Sequence, residues 1–136
     1  SAEAPVRDDV LQIAFDQVYA PNFPEAFGYH TLEMFKDMLN NPDSPVALKF
    51  IVAGQNLRNE NEQPVIKGMA AAFYYKDSGT AQLTYLAVDE AYRKEGLGNA
   101  LFRQYEQALV DWANTNEKGL QGHYISCQAP ESLRHI

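Results

Sequence analysis

Hydrophobic residues recur at helical spacing in three parts of the chain. Near the N-terminus, Asp8 or Asp9 is placed to cap a first helix, whose apolar positions are Val10, Leu11, Ala14, Phe15 and Val18. Pro21 and Pro24 are expected to end this helix in a rigid Pro21-Asn22-Phe23-Pro24 turn, because proline lacks the N–H that a helix needs. A second helix is predicted from about Thr31, on the apolar positions Leu32, Phe35, Met38 and Leu39.

The third helical pattern is the longest, and four strands are predicted around it. The helix opens with Gly96-Leu97-Gly98-Asn99-Ala100, and its apolar stripe consists of Leu101, Phe102, Tyr105, Ala108, Leu109 and Trp112. Strands are predicted at 47–53, 65–75, 81–88 and 123–127. Because Asp77-Ser78-Gly79 is a short turn, the pattern indicates two helices, an antiparallel meander of three strands, a long helix and a last strand.

A phosphate-binding site is predicted where the third strand leads into the long helix. The strand ends in Leu86-Ala87-Val88, and a seven-residue connector follows that carries Arg93 and Lys94. Glycines at helix starts let the backbone approach a ligand, and the first helical turn offers unpaired N–H groups and the positive end of the dipole. An ordinary strand-to-helix turn would not explain two glycines and two cations in six residues.

The residues Arg93-x-x-Gly96-x-Gly98-x-Ala100 after this strand resemble the acyl-CoA-binding motif of the GNAT superfamily of N-acyltransferases. The resemblance implies an α/β (α+β) fold with a mixed, mostly antiparallel sheet flanked by helices. It implies acetyl-CoA as cosubstrate and an amine as acceptor. The cofactor-binding residues that it implies are Leu86, Ala87, Val88, Arg93, Lys94, Glu95, Gly96, Leu97, Gly98, Asn99 and Ala100.

Other phosphate-binding motifs do not fit these residues. A Rossmann fingerprint needs its glycines directly after the strand and a third small residue where this chain has Leu101. A P-loop needs Gly-Lys followed by serine or threonine, which does not occur in the sequence. The pattern therefore favours coenzyme A.

The sequence departs from the family pattern at both ends. The family usually begins with a strand, for which Ala4-Pro5-Val6-Arg7 is a poor candidate, and it usually continues past the fifth strand with a helix and a hairpin. The expectation is one GNAT-like domain over 1–136 that lacks the C-terminal helix and hairpin, either as a fragment or with a partner. An open sheet edge after the last strand would favour a homodimer.

The resemblance implies direct attack of an amine on the thioester, with a base for the amine proton and a donor for the carbonyl oxygen. Some members carry a catalytic glutamate on the family's fourth strand, which corresponds to the third strand predicted here. The matching residue is Gln82, which cannot act as a base. Tyr85 on the same strand is the candidate catalytic residue, although a tyrosine at such a position is at least as often a core residue. His30 lies where family members often shape the acceptor pocket, and no residue matches the usual general acid.

Three functions follow from these features. The first is an N-acetyltransferase that uses acetyl-CoA. The second is a non-catalytic acyl-CoA-binding or regulatory domain, which Gln82 favours. The third is a protein-interaction module with an incidental glycine turn, which predicts no binding of coenzyme A.

Composition and net charge limit the kinds of partner that the protein is expected to bind. The 136 residues, of which 46% are hydrophobic, suffice for one core, and the net charge of −7 argues against nucleic acid as a partner. An anionic cofactor then requires a local basic patch.

His123 and His135 have no metal-ligand spacing with Cys127, so no metal is predicted. The single cysteine and the lack of a signal peptide or membrane-length apolar run favour a cytoplasmic protein without membrane contact.

Overall fold

The computed structural model describes residues 8–23, 31–57, 61–115 and 119–128. The first helical segment consists of two α-helical stretches joined by a π-helical turn, and a 3-10 helix precedes the longest helix. The elements in chain order are α1 (Asp8–Ala14), the π turn (Phe15–Tyr19), α2 (Ala20–Asn22), α3 (Leu32–Asn40), β1 (Val46–Gln55), β2 (Val65–Tyr75), β3 (Thr80–Val88), the 3-10 helix (Glu90–Glu95), α4 (Leu97–Thr115) and β4 (Gly122–Gln128).

The described strands form one sheet in the order β1-β2-β3-β4. β1 pairs with β2 and β2 with β3 in antiparallel fashion, so the predicted meander is confirmed. Its second turn closes through Gly79, whose φ of 69° suits glycine. β4 pairs with β3 in parallel, which requires a crossover, and α4 provides it. The predicted mixed, mostly antiparallel sheet flanked by helices is therefore confirmed.

Each face of the sheet carries its own core. The face toward the N-terminal helices contains Phe15, Tyr19, Phe35, Phe73 and Tyr85, which we call the aromatic core. The face toward α4 contains smaller residues of the sheet against the apolar stripe of the helix, with Ala70, Ala72, Leu83, Leu101 and Tyr105 buried together. Both faces of β2 and β3 are thus covered, which explains why β2 reads as an almost continuous apolar run.

The first helical segment ends at Asn22, within the predicted Pro21–Pro24 stretch, but Pro21 lies inside the helix and not in a separate turn. The N–H of Ala20 bonds to the carbonyl of Phe15, five residues back, and Pro21 lies in the first turn of α2, where its missing N–H is tolerated. The side-chain amide of Asn22 donates to the carbonyl of Val18 at 2.8 Å, so this carbonyl keeps a partner. Pro24, the other residue of that prediction, lies outside the described residues.

Phe35 is at the centre of the aromatic core. It lies on α3, which is capped by Thr31, whose hydroxyl accepts from the N–H of Met34 at 3.3 Å. Its ring is fully buried and contacts five other aromatic rings, those of Phe15, Tyr19, Phe50, Phe73 and Tyr85. This one side chain therefore joins α3 to the π turn and to all three strands of the meander.

Phe35→Ala should lower the free energy of unfolding by about 3–5 kcal/mol, because it removes a buried ring and leaves a cavity. The neighbouring residue Met34 is 42% exposed and makes a matched control. Met34→Ala should change stability by no more than about 0.5 kcal/mol. Chemical denaturation of both variants measures the difference, and equal losses would contradict the central position of Phe35.

Candidate functional site

The candidate site begins at a β-bulge in the middle of β3. On the β2 side, Tyr85 pairs with Ala71 and Leu83 pairs with Ala72, so Thr84 between them has no partner. The ladder to β4 is also interrupted at this point, between Leu83 and Tyr85. An extra residue in one strand reverses which face the following side chains occupy. Accordingly Leu83 packs on the α4 side, whereas Tyr85 packs in the aromatic core.

The bulge brings Gln82 and Tyr85 to the same face of the sheet. Gln82 pairs with Phe73, whose ring lies in the aromatic core beside Tyr85. Without the bulge, residues three apart on a strand would point to opposite faces. Gln82 is half-buried there, at the position where the sequence resemblance expects a glutamate. The bulge at Thr84 could not be predicted from the sequence. Buried and less buried positions alternate regularly along β3, so the order of its residues carries no sign of an extra one.

The end of β3 offers backbone groups rather than side chains. The side chain of Ala87 is buried in the aromatic core, and those of Leu86 and Val88 are half-buried on the α4 side. Within the described residues, the ladder from β3 to β4 extends no further than the pair of Tyr85 and Gln128. The β4-side backbone edge of residues 86–88 therefore has no ladder partner in that part of the chain.

The connector after β3 is a 3-10 helix that ends in a left-handed glycine. Asp89 begins it by accepting from the N–H of Ala91 at 2.9 Å, and its own N–H donates to the carbonyl of Lys67 at 2.7 Å. Gly96 ends the 3-10 helix with φ 74°, a conformation that other residues adopt only at a cost of about 1–2 kcal/mol. The left-handed turn redirects the chain, and α4 starts at the next residue, Leu97.

The first turn of α4 is open toward solvent. Its first helical hydrogen bond runs from the N–H of Ala100 to the carbonyl of Gly96 at 3.3 Å, so the N–H groups of Leu97, Gly98 and Asn99 have no acceptor within the helix. A Cβ at Gly98 would meet no atom within 4 Å, and the φ of Gly98 is not in the left-handed region. Three amides without a helical acceptor and the positive end of the helix dipole thus lie beside open space at Gly98, an arrangement that favours an anion.

The two predicted cations of the connector lie in different surroundings. Arg93 is half-buried, and its Nε donates to the carbonyl of Val88 at 3.2 Å while its Nη2 lies 3.5 Å from Oδ1 of Asn22. It therefore joins the end of β3 to α2. Lys94 is exposed, and so are Glu95, Asn99 and Ala100. Arg93 and Lys94 are adjacent in the sequence and were predicted to act alike. In the structure, Arg93 also has a structural role, because it contacts Val88 and Asn22.

Tyr85 lies inside the aromatic core, with its ring 1% exposed. Its ring packs edge-on against that of Tyr19 at a centroid distance of 5.0 Å, and a hydrogen bond joins the two side chains. Burial raises the pKa of Tyr19, and the hydrogen bond to Tyr85 raises it further. Burial also raises the pKa of Tyr85, although the bond from Tyr19 lowers it in part. Tyrosines with raised pKa values stay protonated at neutral pH, so this pair can donate hydrogen bonds but does not supply a base.

The structure also bears on metal and membrane sites. Among the described residues, no group of three or more histidine, cysteine, aspartate or glutamate side chains could hold a metal ion. No helix in those residues has both the length and the apolar character that crossing a membrane requires. His123, the described histidine of β4, is exposed and has its ring 6.1 Å from that of Tyr105. His30 and its expected place in an acceptor pocket lie outside the described residues.

Comparisons with known proteins agree with this geometry. The family model described as the acetyltransferase (GNAT) family matches residues 13–123. The crystal structure of an acetyltransferase from Vibrio fischeri has a similar fold, with a TM-score of 0.57 and 15% sequence identity over 90% of this chain and 93% of that one. A comparison with curated protein sequences gives no match. At this identity the structural likeness establishes the fold, and the family model establishes the relationship.

The buried tyrosine pair should make stability fall at high pH. In the unfolded chain a tyrosine titrates near a pKa of about 10. Above that pH the unfolded state has lost protons that the native pair still holds, so the free energy of unfolding decreases by about 1.4 kcal/mol per pH unit for each tyrosine. Tyr19→Phe removes one of the two groups, and its stability should fall less steeply than that of the wild type above about pH 10. Urea denaturation across this range measures both slopes, and identical slopes would contradict the raised pKa of Tyr19.

Proposed function

The chain belongs to the acetyltransferase (GNAT) family, and from that premise we propose that it transfers an acetyl group from acetyl-CoA to an amine. Family and fold support acyl transfer in general. The observation that carries the more specific proposal is the open first turn of α4 directly after β3, with free space at Gly98. This is the place where the anionic end of a coenzyme A molecule is best accommodated.

The donor would bind along a continuous backbone surface. Its pyrophosphate would accept hydrogen bonds from the N–H groups of Leu97, Gly98 and Asn99, where the helix dipole adds a favourable field. Lys94 is exposed beside this turn and supplies a full positive charge. The pantetheine arm would then follow residues 86–88, whose β4-side edge is unpaired within the described residues. The thioester would reach the region of the Thr84 bulge.

The reaction is a direct displacement in a ternary complex. The amine nitrogen attacks the thioester carbonyl, the new C–N bond forms, the C–S bond breaks, and the thiolate of coenzyme A leaves. Negative charge develops on the carbonyl oxygen, and a backbone N–H aimed at that oxygen would stabilise it. Thr84 and residues 86–88 have no β4 ladder partner among the described strands, so we assign this role to the backbone of this part of β3.

The amine must also lose a proton, and β3 provides no side chain to accept it. Gln82 is a carboxamide, and the tyrosine pair remains protonated at neutral pH. We therefore assign this step to water or to a group elsewhere in the chain. The role left to Tyr85 is to donate a hydrogen bond, with Tyr19 holding its hydroxyl in place.

Two further predictions about the protein's setting remain proposals. β1 and β4 are the edges of the described sheet, and pairing of an edge with a second copy of the chain would produce the expected homodimer. The cytoplasm remains the proposed place of action.

Acetyl-CoA should raise the melting temperature of the wild-type protein. At about 100 times its dissociation constant it should stabilise the fold by roughly 2.7 kcal/mol. Gly98→Asp should abolish this effect, because the new carboxylate fills the open space and repels the phosphates by about 1–4 kcal/mol near 4 Å. Calorimetric titration and thermal denaturation measure both quantities.

The free Gly98→Asp variant should fold normally. Its Cβ meets no atom, its φ is not left-handed, and aspartate is favoured in the first turn of a helix. Gly98→Ala is the matched control, since it adds a Cβ without a charge and should keep most of the affinity. A folded Gly98→Asp variant that binds acetyl-CoA as tightly as the wild type would contradict the proposed site.

Gln82→Ala should reduce the turnover of an active enzyme only modestly, because the carboxamide takes up no proton near neutral pH. Gln82→Glu tests the same position differently, since a carboxylate there should alter the pH dependence of kcat. Steady-state kinetics over a pH series measure both variants. A loss of about a thousandfold in Gln82→Ala, with acetyl-CoA binding intact, would show that Gln82 orients the reactants and would overturn this assignment.

A further inference from the structure

Lys67 of β2 contacts the connector between β3 and α4 at three points. Its carbonyl accepts from the N–H of Asp89 at 2.7 Å, at the start of the connector. Its ammonium lies 5.0 Å above the ring centroid of Tyr92, in the middle. The same ammonium lies 3.1 Å from Oε1 of Glu95, at the end. One residue of the sheet thus meets the beginning, middle and end of the 3-10 helix.

A second bulge places Lys67 for these contacts. In the register between β1 and β2, Ala53 pairs with Gly68 and Gly54 pairs with Ile66, so Lys67 has no partner on β1. The extra residue turns its side chain away from simple alternation and toward the connector. The Lys67 side chain is only 17% exposed, against 46% for Glu95, so the lysine is held largely within the protein while the carboxylate is partly solvated.

Glu95 creates an electrostatic problem for the proposed site. It directly precedes Gly96, and the open amides of α4 begin one residue later. An uncompensated carboxylate at this position would repel the phosphates that the amides are proposed to bind, in a protein whose net charge is already −7. Arg93 is directed toward Val88 and Asn22, and among the described residues the cation in contact with Glu95 is Lys67.

We propose that Lys67 is a positioning residue of the acyl-CoA site, which neutralises Glu95 and thereby keeps the first turn of α4 receptive to phosphate. This inference rests on the proposed function and assigns a specific role to a residue outside the motif. Lys67 acts through Glu95 and takes no part in the chemistry. Its effect should therefore appear in the affinity for acetyl-CoA and not in the rate of acyl transfer.

The test is a rescue experiment on the full chain with acetyl-CoA as the probe. Lys67→Met keeps an unbranched apolar side chain but removes the charge, and it should raise the dissociation constant and the KM for acetyl-CoA by about fivefold, with kcat nearly unchanged. Glu95→Gln in the Lys67→Met background removes the uncompensated carboxylate and should restore most of the affinity. Lys67→Arg should retain it. The loss in Lys67→Met should shrink at high salt, since screening weakens the repulsion.

Lys76→Met is the matched control, because Lys76 lies beyond the opposite end of β2, where its ammonium donates to the carbonyl of Pro42 at 2.7 Å. It should leave the affinity unchanged. Circular dichroism and melting temperature establish that each variant is folded. Lys67→Met with wild-type affinity, or a loss that Glu95→Gln does not restore, would overturn the inference while leaving the proposed function intact. A wild-type protein that does not bind acetyl-CoA would contradict both.

Discussion

The architecture of the candidate site depends on one constraint, which is that β3 is buried on both faces and must still leave backbone groups for the proposed ligand. Side chains of β3 fill the aromatic core on one face and pack against α4 on the other. The bulge at Thr84 reconciles these two requirements, because it interrupts the ladders to β2 and β4 at the same residue. Beyond it, β3 runs into the left-handed Gly96 and the open first turn of α4.

The second requirement is electrostatic. A chain with a net charge of −7 would need a local environment that accepts the phosphates of the proposed cofactor. Neutral elements supply much of it, namely the amides of a helix start and the space at Gly98. Among the described residues, two of the three nearby cations have partners in the protein: Arg93 joins β3 to α2, and Lys67 is paired with Glu95. Lys94 is exposed. The proposed site thus depends more on backbone geometry than on an accumulation of cations.

The aromatic core connects the site to the rest of the fold. Phe35 and Tyr19 pack against Tyr85, so the N-terminal helices contact β3 at the residue that follows the bulge. The hydrogen bond between the two tyrosines satisfies polar groups that would be costly to bury alone. The same burial keeps both hydroxyls protonated, which confines the role proposed for Tyr85 to hydrogen-bond donation.

The sequence by itself determined the elements and the family. Apolar periodicity predicted β2 at its observed bounds and the long helix with its buried stripe, because local spacing directly records which face is covered. The glycines and Arg93 predicted a phosphate site after β3, because few other roles require those residues together. The first helix ends within the predicted Pro21–Pro24 stretch, but the place of Pro21 inside it was not predicted, since proline is tolerated in the first turn that follows the π-helical turn.

Only the tertiary structure decided how these pieces meet. The bulge at Thr84 does not show in the burial pattern of β3. Because both faces of the sheet are covered, side chains before and after the bulge are buried alike although they lie on opposite faces. It is the bulge that brings Gln82 and Tyr85 to one face and places Tyr85 in the core. Nor does the sequence relate Lys67 to Glu95, which are 28 residues apart. Their contact follows from the register of β2 against β3, and pairing between distant strands is set by the whole fold rather than by any local pattern.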